Sequence, residues 1–279
     1  MNVLLTGADG FTGNYIKLLS KSLNFFIISL KSNLLDFNAL KIEIDNYDFD
    51  YVIHLAAISV SSFNNKDLYE NGNVKTTENL LNCLLNKKKL KKIIIASSAS
   101  IYGGSNGIVS ENSKPNPLSP YANSKLNMEN MILDKYYELP VIITRPFNYT
   151  GIGQTDFFVV PKIINHFINN KNEILLGNID VKREINDVRY VAEIYLKLLN
   201  ISKSRLIVNI CTGQTYSIKE IVLLVSEITK KNIKINIDDK LLRPNDPELL
   251  CGDNSLLLSL VNHKNQINIR NTLQWMLNA

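Results

Sequence analysis

Five short apolar runs, NVLLT (2–6), FFIISL (25–30), DYVIHLAA (50–57), KKIIIASS (91–98) and VIITRPF (141–147), punctuate the first half of the chain. Between them, FTGNYIKLLSKSL, KTTENLLNCLLNK and SPYANSKLNMENMILDKYY carry apolar residues at three- and four-residue spacing, the period of a helix with one buried face. Runs that are apolar without alternation belong to strands covered on both faces, and helices between them are the crossovers that parallel strands require. The pattern predicts an α/β fold built on a doubly wound parallel sheet. After Gly151 the texture loosens into FFVVPKIINHFI, REINDVRYVAEIYLKLL, RLIVNIC and SIKEIVLLVSEITKK, which predicts a smaller mixed α/β C-terminal lobe. No low-complexity linker or internal repeat separates the halves. The expected division is 1–150 for the core and 151–279 for the lobe, interleaved with the core.

Composition excludes several function classes. A chain of 279 residues with 45% apolar composition can bury a full core, so disordered and fibrous classes fall away. No segment approaches the roughly 20 uninterrupted apolar residues of a membrane span, and the N-terminus has no secretory pattern; a cytoplasmic protein is expected. Cys83, Cys211 and Cys251 are scattered without CxxC spacing, and His54, His166 and His263 have no i,i+4 partner, so neither a disulfide framework nor a metal site is expected. The net charge of +5 suits an anionic ligand. The lysines are dispersed without interleaved aromatics, which argues against nucleic acid as a partner. Lys87 to Lys92 reads as a solvated helix end.

The first strand runs directly into T-G-A-D-G-F-T-G, which places Gly7, Gly10 and Gly13 at a strand-to-helix turn. Gly7 permits the tight turn, Gly10 lets backbone approach a pyrophosphate, and Gly13 allows close helix-to-strand packing. The helix N-terminus, with Phe11 and Thr12, then presents free N–H groups and a positive dipole end to phosphates. Preceded by an apolar strand and followed by an amphipathic helix, the motif predicts a dinucleotide-binding, Rossmann-type core. Leu55, Ala56 and Ala57, ending the third run, would let the chain pass close to the cofactor, while His54 reads as structural.

Cofactor choice is read after the second strand, where a carboxylate would hold the ribose hydroxyls and repel a 2′-phosphate. The segment is ISLKSN, and no carboxylate appears until Asp36. Ser29, Lys31 and Asn33, with Leu34 beside them, are the expected contacts. NADP(H) is favoured over NAD(H).

Ser97 and Ser98 follow KKIIIA at the carboxyl end of a strand, where open α/β sheets bind ligands. About twenty residues on, PYANSK puts Tyr121 and Lys125 at i,i+4 on one helix face, about 6 Å apart along the axis. A phenol with a pKa near 10 is a poor acid–base group at neutral pH. An adjacent ammonium favours the phenolate, and moving the pKa by about 3 units is worth roughly 4 kcal/mol. Lys125 is expected to lower the Tyr121 pKa in this way and to hold ribose hydroxyls. Ser98 would hold the substrate oxygen.

The order TGADGFTG, HLAA, SSASIYG, YANSK resembles the extended short-chain dehydrogenases/reductases, the sugar-nucleotide epimerases, dehydratases and reductases. RPFNYTGIGQ, FFVVPKI, NDVRYVAEIY, VNICTGQTYSI and LLRPNDPELLCGDNS extend that resemblance over nearly the whole chain. It is closest in flavour to GDP-mannose 4,6-dehydratases and 4-keto-6-deoxyhexose reductases. The resemblance implies a nucleotide-sugar substrate, with Arg183 and Arg243 on the diphosphate. Asn148, Val160 and Pro161 would line the pocket, with Ser100 beside Ser98. It also implies a homodimer through the helices at 75–87 and 119–137, whose outer faces must then be partly apolar.

The family's 4,6-dehydratases carry a Glu two places after the strand-end Ser or Thr, sometimes preceded by an Asp. Here Ala99 and Ser100 stand in those places. A positioned general base contributes about 10² to 10⁴ in rate, so dehydration is disfavoured. Reduction of a 4-keto sugar, with Tyr121 as acid, is the reading that remains. Its alternatives are a nucleotide-sugar 4-epimerase with tightly bound NAD and a non-enzymatic NADP sensor.

Overall fold

The computed structural model describes residues 1–59, 65–242, 246–262 and 267–279. His263 and Arg243 lie outside the described residues. In chain order the strands are β1 (Asn2–Thr6), β2 (Phe26–Ser29), β3 (Tyr51–His54), β4 (Lys92–Ala96), β5 (Gly107–Val109), β6 (Val141–Pro146) and β7 (Tyr149–Thr150). They continue with β8 (Glu173–Leu176), β9 (Lys182–Glu184), β10 (Asn186–Asp187), β11 (Leu206–Ile210), β12 (Thr215–Ser217), β13 (Lys234–Ile237) and β14 (Leu249–Gly252). The helices are α1 (Phe11–Ser20), α2 (Phe37–Asp45), α3 (Lys66–Tyr69), α4 (Thr76–Leu84), α5 (Pro120–Lys135), α6 (Val159–Ile168), α7 (Val188–Leu199), α8 (Ile218–Thr229), α9 (Ser255–Leu260) and α10 (Ile269–Leu277).

Among the described residues, six strands form a sheet in the order β2-β1-β3-β4-β6-β11, and every neighbouring pair is parallel. The side-chain period of two sends alternate residues to opposite faces. Val3, Leu5, Ile53, Ile94, Ile142 and Val208 join one core with Ile16 of α1 and the buried stripe of α7. Leu4, Val52, Ile93, Ile95 and Ile143 join the other, with Leu40 of α2, Leu80 and Leu84 of α4, and Met128 and Ile132 of α5. Burial on both faces is why these runs are continuously apolar rather than alternating. The chain leaves β1 for β2 on one side and returns to β3 on the other. This reversal opens a crevice at the carboxyl ends of β1 and β3, the place where such sheets take ligands.

Beyond β6 the chain departs and then re-enters: α7 packs on α1's side of the sheet and β11 pairs with β6. α9 joins the same core through Leu257, and a second layer holds a four-stranded sheet β12-β9-β14-β5 and a pair β13-β8, with β10-β7 a further two-stranded pair. α6, α8 and α10 share one apolar cluster there. Strand β5, from the first half, pairs with β14, so the two layers exchange chain. No helix among the described residues is long and apolar enough to cross a membrane. The outer face of α5 is mixed, with exposed Leu133 among Asn123, Asn127 and Asn130, and Tyr137 exposed just after the helix, whereas α4 exposes only Asn82.

Candidate active site

The glycine loop has the shape its sequence requires. Gly7 sits at φ +69°, and a Cβ there would come within 2.8 Å of the Ala56 nitrogen; one on Gly13 would fall 2.3 Å from the Gly7 carbonyl. Both positions exclude a side chain, the first by backbone conformation as well. A Cβ on Gly10 would meet within 4 Å only the Gly7 carbonyl, at 3.2 Å, on an exposed stretch of backbone. α1 begins at Gly10 with no side-chain cap. By contrast Asp36, Ser119, Asp187, Ser217 and Asn268 each cap their own helices. An uncapped helix start beside bare glycine backbone is a cradle for a pyrophosphate, so these residues fit the dinucleotide that the motif implies.

Of the other expected cofactor contacts, Thr12 is buried and its hydroxyl meets the Tyr149 hydroxyl at 2.8 Å, and Phe11 stacks on Tyr149. Leu55, Ala56 and Ala57 are partly exposed along the crevice, and Ser29 is partly exposed at the end of β2. Leu34 is buried in the core cluster beneath α2. Asn33 is exposed, and its Oδ1 accepts the Leu35 N–H at 3.0 Å. Lys31 is exposed but engaged: its ammonium lies 3.2 Å from the Asp9 carboxylate. The segment itself holds no carboxylate before Asp36. In three dimensions two carboxylates reach it, Asp9 from the glycine loop and Glu43 from α2, the latter accepting the N–H groups of Lys31 and Ser32 at 2.9 and 2.6 Å.

Ser98 leads out of β4 into a tight turn over Ala99–Tyr102, and its Oγ accepts the Ser100 N–H at 3.1 Å. Tyr121 lies in the first turn of α5, which Ser119 caps, with its hydroxyl near enough to Ser98 for that serine to favour the phenolate. The strand-end serine and the helix tyrosine are thus brought together. The hydroxyls of Ser97 and Ser100 are buried without a hydrogen-bond partner, and an unmet buried hydroxyl costs about 1–3 kcal/mol. Lys125, one turn beyond Tyr121, is buried and donates to the Ala96 carbonyl at 2.8 Å.

The expected electrostatics of this pair need correction. Burial pushes the Tyr121 phenol up to about 12, with Ser98 opposing the shift. Burial also brings Lys125 down to about 8, while Glu129 acts to raise it. The ammonium donates to the Ala96 carbonyl, and burial disfavours the charged phenolate. Tyr121 is therefore a protonated acid at neutral pH.

Other residues around this cluster were not legible in the sequence. Tyr149 lies near Tyr121 and raises its pKa further; it arrives from β7, far away in the chain. His54 is buried and held neutral by desolvation, its pKa lowered to about 3. Thr77 Oγ1 donates to the Asn73 carbonyl at 2.6 Å, so it accepts from His54 Nε2 at 2.9 Å. Nδ1 then accepts the Thr6 hydroxyl at 2.7 Å. Asn73 Nδ2 donates to Ser124 Oγ at 2.9 Å, and Ser124 donates to the Tyr121 carbonyl at 2.8 Å. This chain of bonds ties β1 to the turn of α5 that carries Tyr121.

The expected substrate contacts lie farther out. Asn148 is exposed between β6 and β7, and its carbonyl accepts the Asn186 N–H at 2.8 Å. Val160 and Pro161 are buried in the first turn of α6, with Phe157, Phe158 and Val159 exposed just before them. Arg183 donates to Asp246 at 2.6 Å and to the Pro247 carbonyl at 2.7 Å. Among the described residues no cluster of three His, Cys, Asp or Glu side chains could hold a metal ion.

A doubly wound parallel sheet with this glycine loop and a Ser, Tyr, Lys cluster at its carboxyl edge defines an oxidoreductase of the extended short-chain dehydrogenase/reductase type. The family model for GDP-mannose 4,6-dehydratase matches residues 21–276, and the chain belongs to that family. It is 31% identical over 269 residues to GDP-6-deoxy-D-talose 4-dehydrogenase of Aggregatibacter actinomycetemcomitans, covering 94% of this chain and 91% of the relative. It is 30% identical over 240 residues to GDP-6-deoxy-D-mannose reductase of Pseudomonas aeruginosa, covering 82% and 79%. The structure of RMD from Pseudomonas aeruginosa complexed with NADPH superposes with a TM-score of 0.89 at 27% identity, over 99% of this chain and 97% of that one.

Proposed function

We propose that the protein reduces the C4 keto group of a nucleotide-activated 4-keto-6-deoxyhexose, with NADPH as the preferred reductant and GDP as the nucleotide. The observation that carries this reading is that Ser98 and the first turn of α5 with Tyr121 come together at a turn where Ala99 and Ser100 offer no carboxylate. Dehydration would need a base at that turn to take the C5 proton, and a serine hydroxyl is far too weak. The two named relatives support GDP, since both act on GDP-linked 6-deoxyhexoses, and 6-deoxytalose and 6-deoxymannose differ in configuration at C4. The NADPH complex of RMD and the presence of Lys31 support the cofactor.

In this mechanism the bound nicotinamide supplies a hydride. Ser98 holds the carbonyl oxygen, and Tyr121 donates its phenolic proton to that oxygen as charge develops there. Lys125 keeps two of its N–H donors beyond the bond to Ala96 and would place the ribose. We assign the 151–279 lobe to the nucleotide sugar, with Arg183 and Arg243 for its diphosphate and Asn148, Val160, Pro161 and Ser100 toward the pocket. A planar guanidinium matches phosphate oxygens bidentately, and Arg183 would exchange Asp246 for the diphosphate.

The test is NADPH oxidation with GDP- and dTDP-4-keto-6-deoxyhexoses generated in place by their dehydratases. Stoichiometric NADPH consumption with the GDP sugar is expected. No consumption with either sugar, together with NAD that co-purifies tightly bound, would replace this reading with a 4-epimerase.

A further inference from the structure

The loop after β2 is more constrained than its sequence suggests. Leu30 bonds back to β1, its N–H reaching the Leu5 carbonyl at 3.0 Å, so Lys31 emerges beside the glycine loop. Glu43 reaches the same loop from α2 and takes the N–H groups of both Lys31 and Ser32. The Ser32 hydroxyl donates to the Ala39 carbonyl at 3.3 Å, and Asn33 Oδ1 is taken by the Leu35 N–H. The backbone donors at 31 and 32 are spent within the loop itself. The cation that this loop offers to an anion arriving at the adenosine ribose is the Lys31 ammonium, and that ammonium is already paired.

Its partner is Asp9, between Gly7 and Gly10. One Asp9 oxygen lies 3.2 Å from Lys31 and the other 3.0 Å from Lys17. The two lysines hold its carboxyl below the usual carboxylate range, so it stays charged at working pH. NADP(H) and NAD(H) differ at this end of the molecule by a 2′-phosphate of nearly two negative charges against a neutral hydroxyl. A fixed carboxylate repels the first and competes with it for the lysine, whereas it can accept a hydrogen bond from the second.

We propose that Asp9 is the residue that sets the cofactor selectivity of this chain: by holding Lys31 it opposes the 2′-phosphate and narrows the preference for NADP(H), while Glu43 fixes the loop in which the contest occurs. This rests on the dinucleotide reading above. Asp9 and Lys31 are both largely exposed, 73% and 67%, so the effect is a modest one, a factor of a few rather than of thousands.

The experiment is isothermal titration of the full chain with NADPH and with NADH, for the wild type, Asp9→Asn, Lys31→Met and the double variant. Asp9→Asn should tighten NADPH about three- to ten-fold and leave NADH unchanged or weaker. On the Lys31→Met background the gain should be smaller, since only the direct repulsion between Asp9 and the 2′-phosphate is then relieved. In about 0.5 M salt, where the Debye length is only a few ångströms, it should shrink likewise. Equal changes for both cofactors on Asp9→Asn, or none for either, overturn the proposal while leaving the dinucleotide reading intact. Failure of the wild type to bind either nucleotide overturns both.

Discussion

At the scale of single residues, the chemistry turns on what burial does to Tyr121 and Lys125. Raised to about 12, Tyr121 stays the neutral phenol, the form that has a proton to give to a ketone oxygen, rather than the phenolate that would take one from an alcohol. Tyr121→Phe should lower kcat for 4-keto reduction by about 10² to 10⁴ with the NADPH Kd nearly unchanged; steady-state kinetics alongside titration separates the two. Lys125, lowered to about 8, is charged below that value and neutral above it. Turnover that depends on its ammonium should therefore be level through neutral pH and fall as pH rises through about 8, and Lys125→Met should abolish that limb of the profile. His54, lowered to about 3, stays neutral over the same range and should contribute no limb between pH 5 and 8. The spacing of Tyr121 and Lys125 was legible because i,i+4 neighbours on a helix must share a face. Their protonation was not, because it depends on burial and on neighbours such as Tyr149 that spacing does not reveal.

At the scale of elements, α5 is the part that holds the site in place. Its buried face carries Tyr121, Lys125 and Glu129 in successive turns, and Glu129 is ion-paired with Arg145 of β6 at 2.5 Å with both side chains almost fully buried. Arg145 also donates to the Tyr102 hydroxyl, whose neighbour is Asn209 of β11 at 3.1 Å. Removing one member of such a pair leaves the other buried and uncompensated, so Glu129→Ala should destabilise the fold by about 3–5 kcal/mol, read by chemical denaturation. The strands and crossover helices were legible from periodicity, since continuous apolar runs and three- and four-residue spacing follow directly from burial on two faces and on one. Glu43 and Asp9 were not. Each is polar and locally unremarked, and acquires meaning only when α2 and the glycine loop fold back on Lys31.

At the scale of the whole molecule, the sheet reversal beside β1 places the glycine loop, Ser98 and the first turn of α5 along one crevice, and the chain's return through α7 and β11 sets the second layer against it. That return was foreseen only as interleaving, because a single strand such as RLIVNIC carries no mark of which sheet it joins. The central claim is that this crevice delivers hydride to C4 of a deoxysugar without dehydrating it. The most direct measurement is mass spectrometry of the product formed from a GDP-4-keto-6-deoxyhexose and NADPH deuterated at C4 of the nicotinamide on the transferred face, each face being tried in turn. A reductase leaves one deuterium at C4 of the sugar for each NADPH consumed. Product formed without that label from either face would contradict the account.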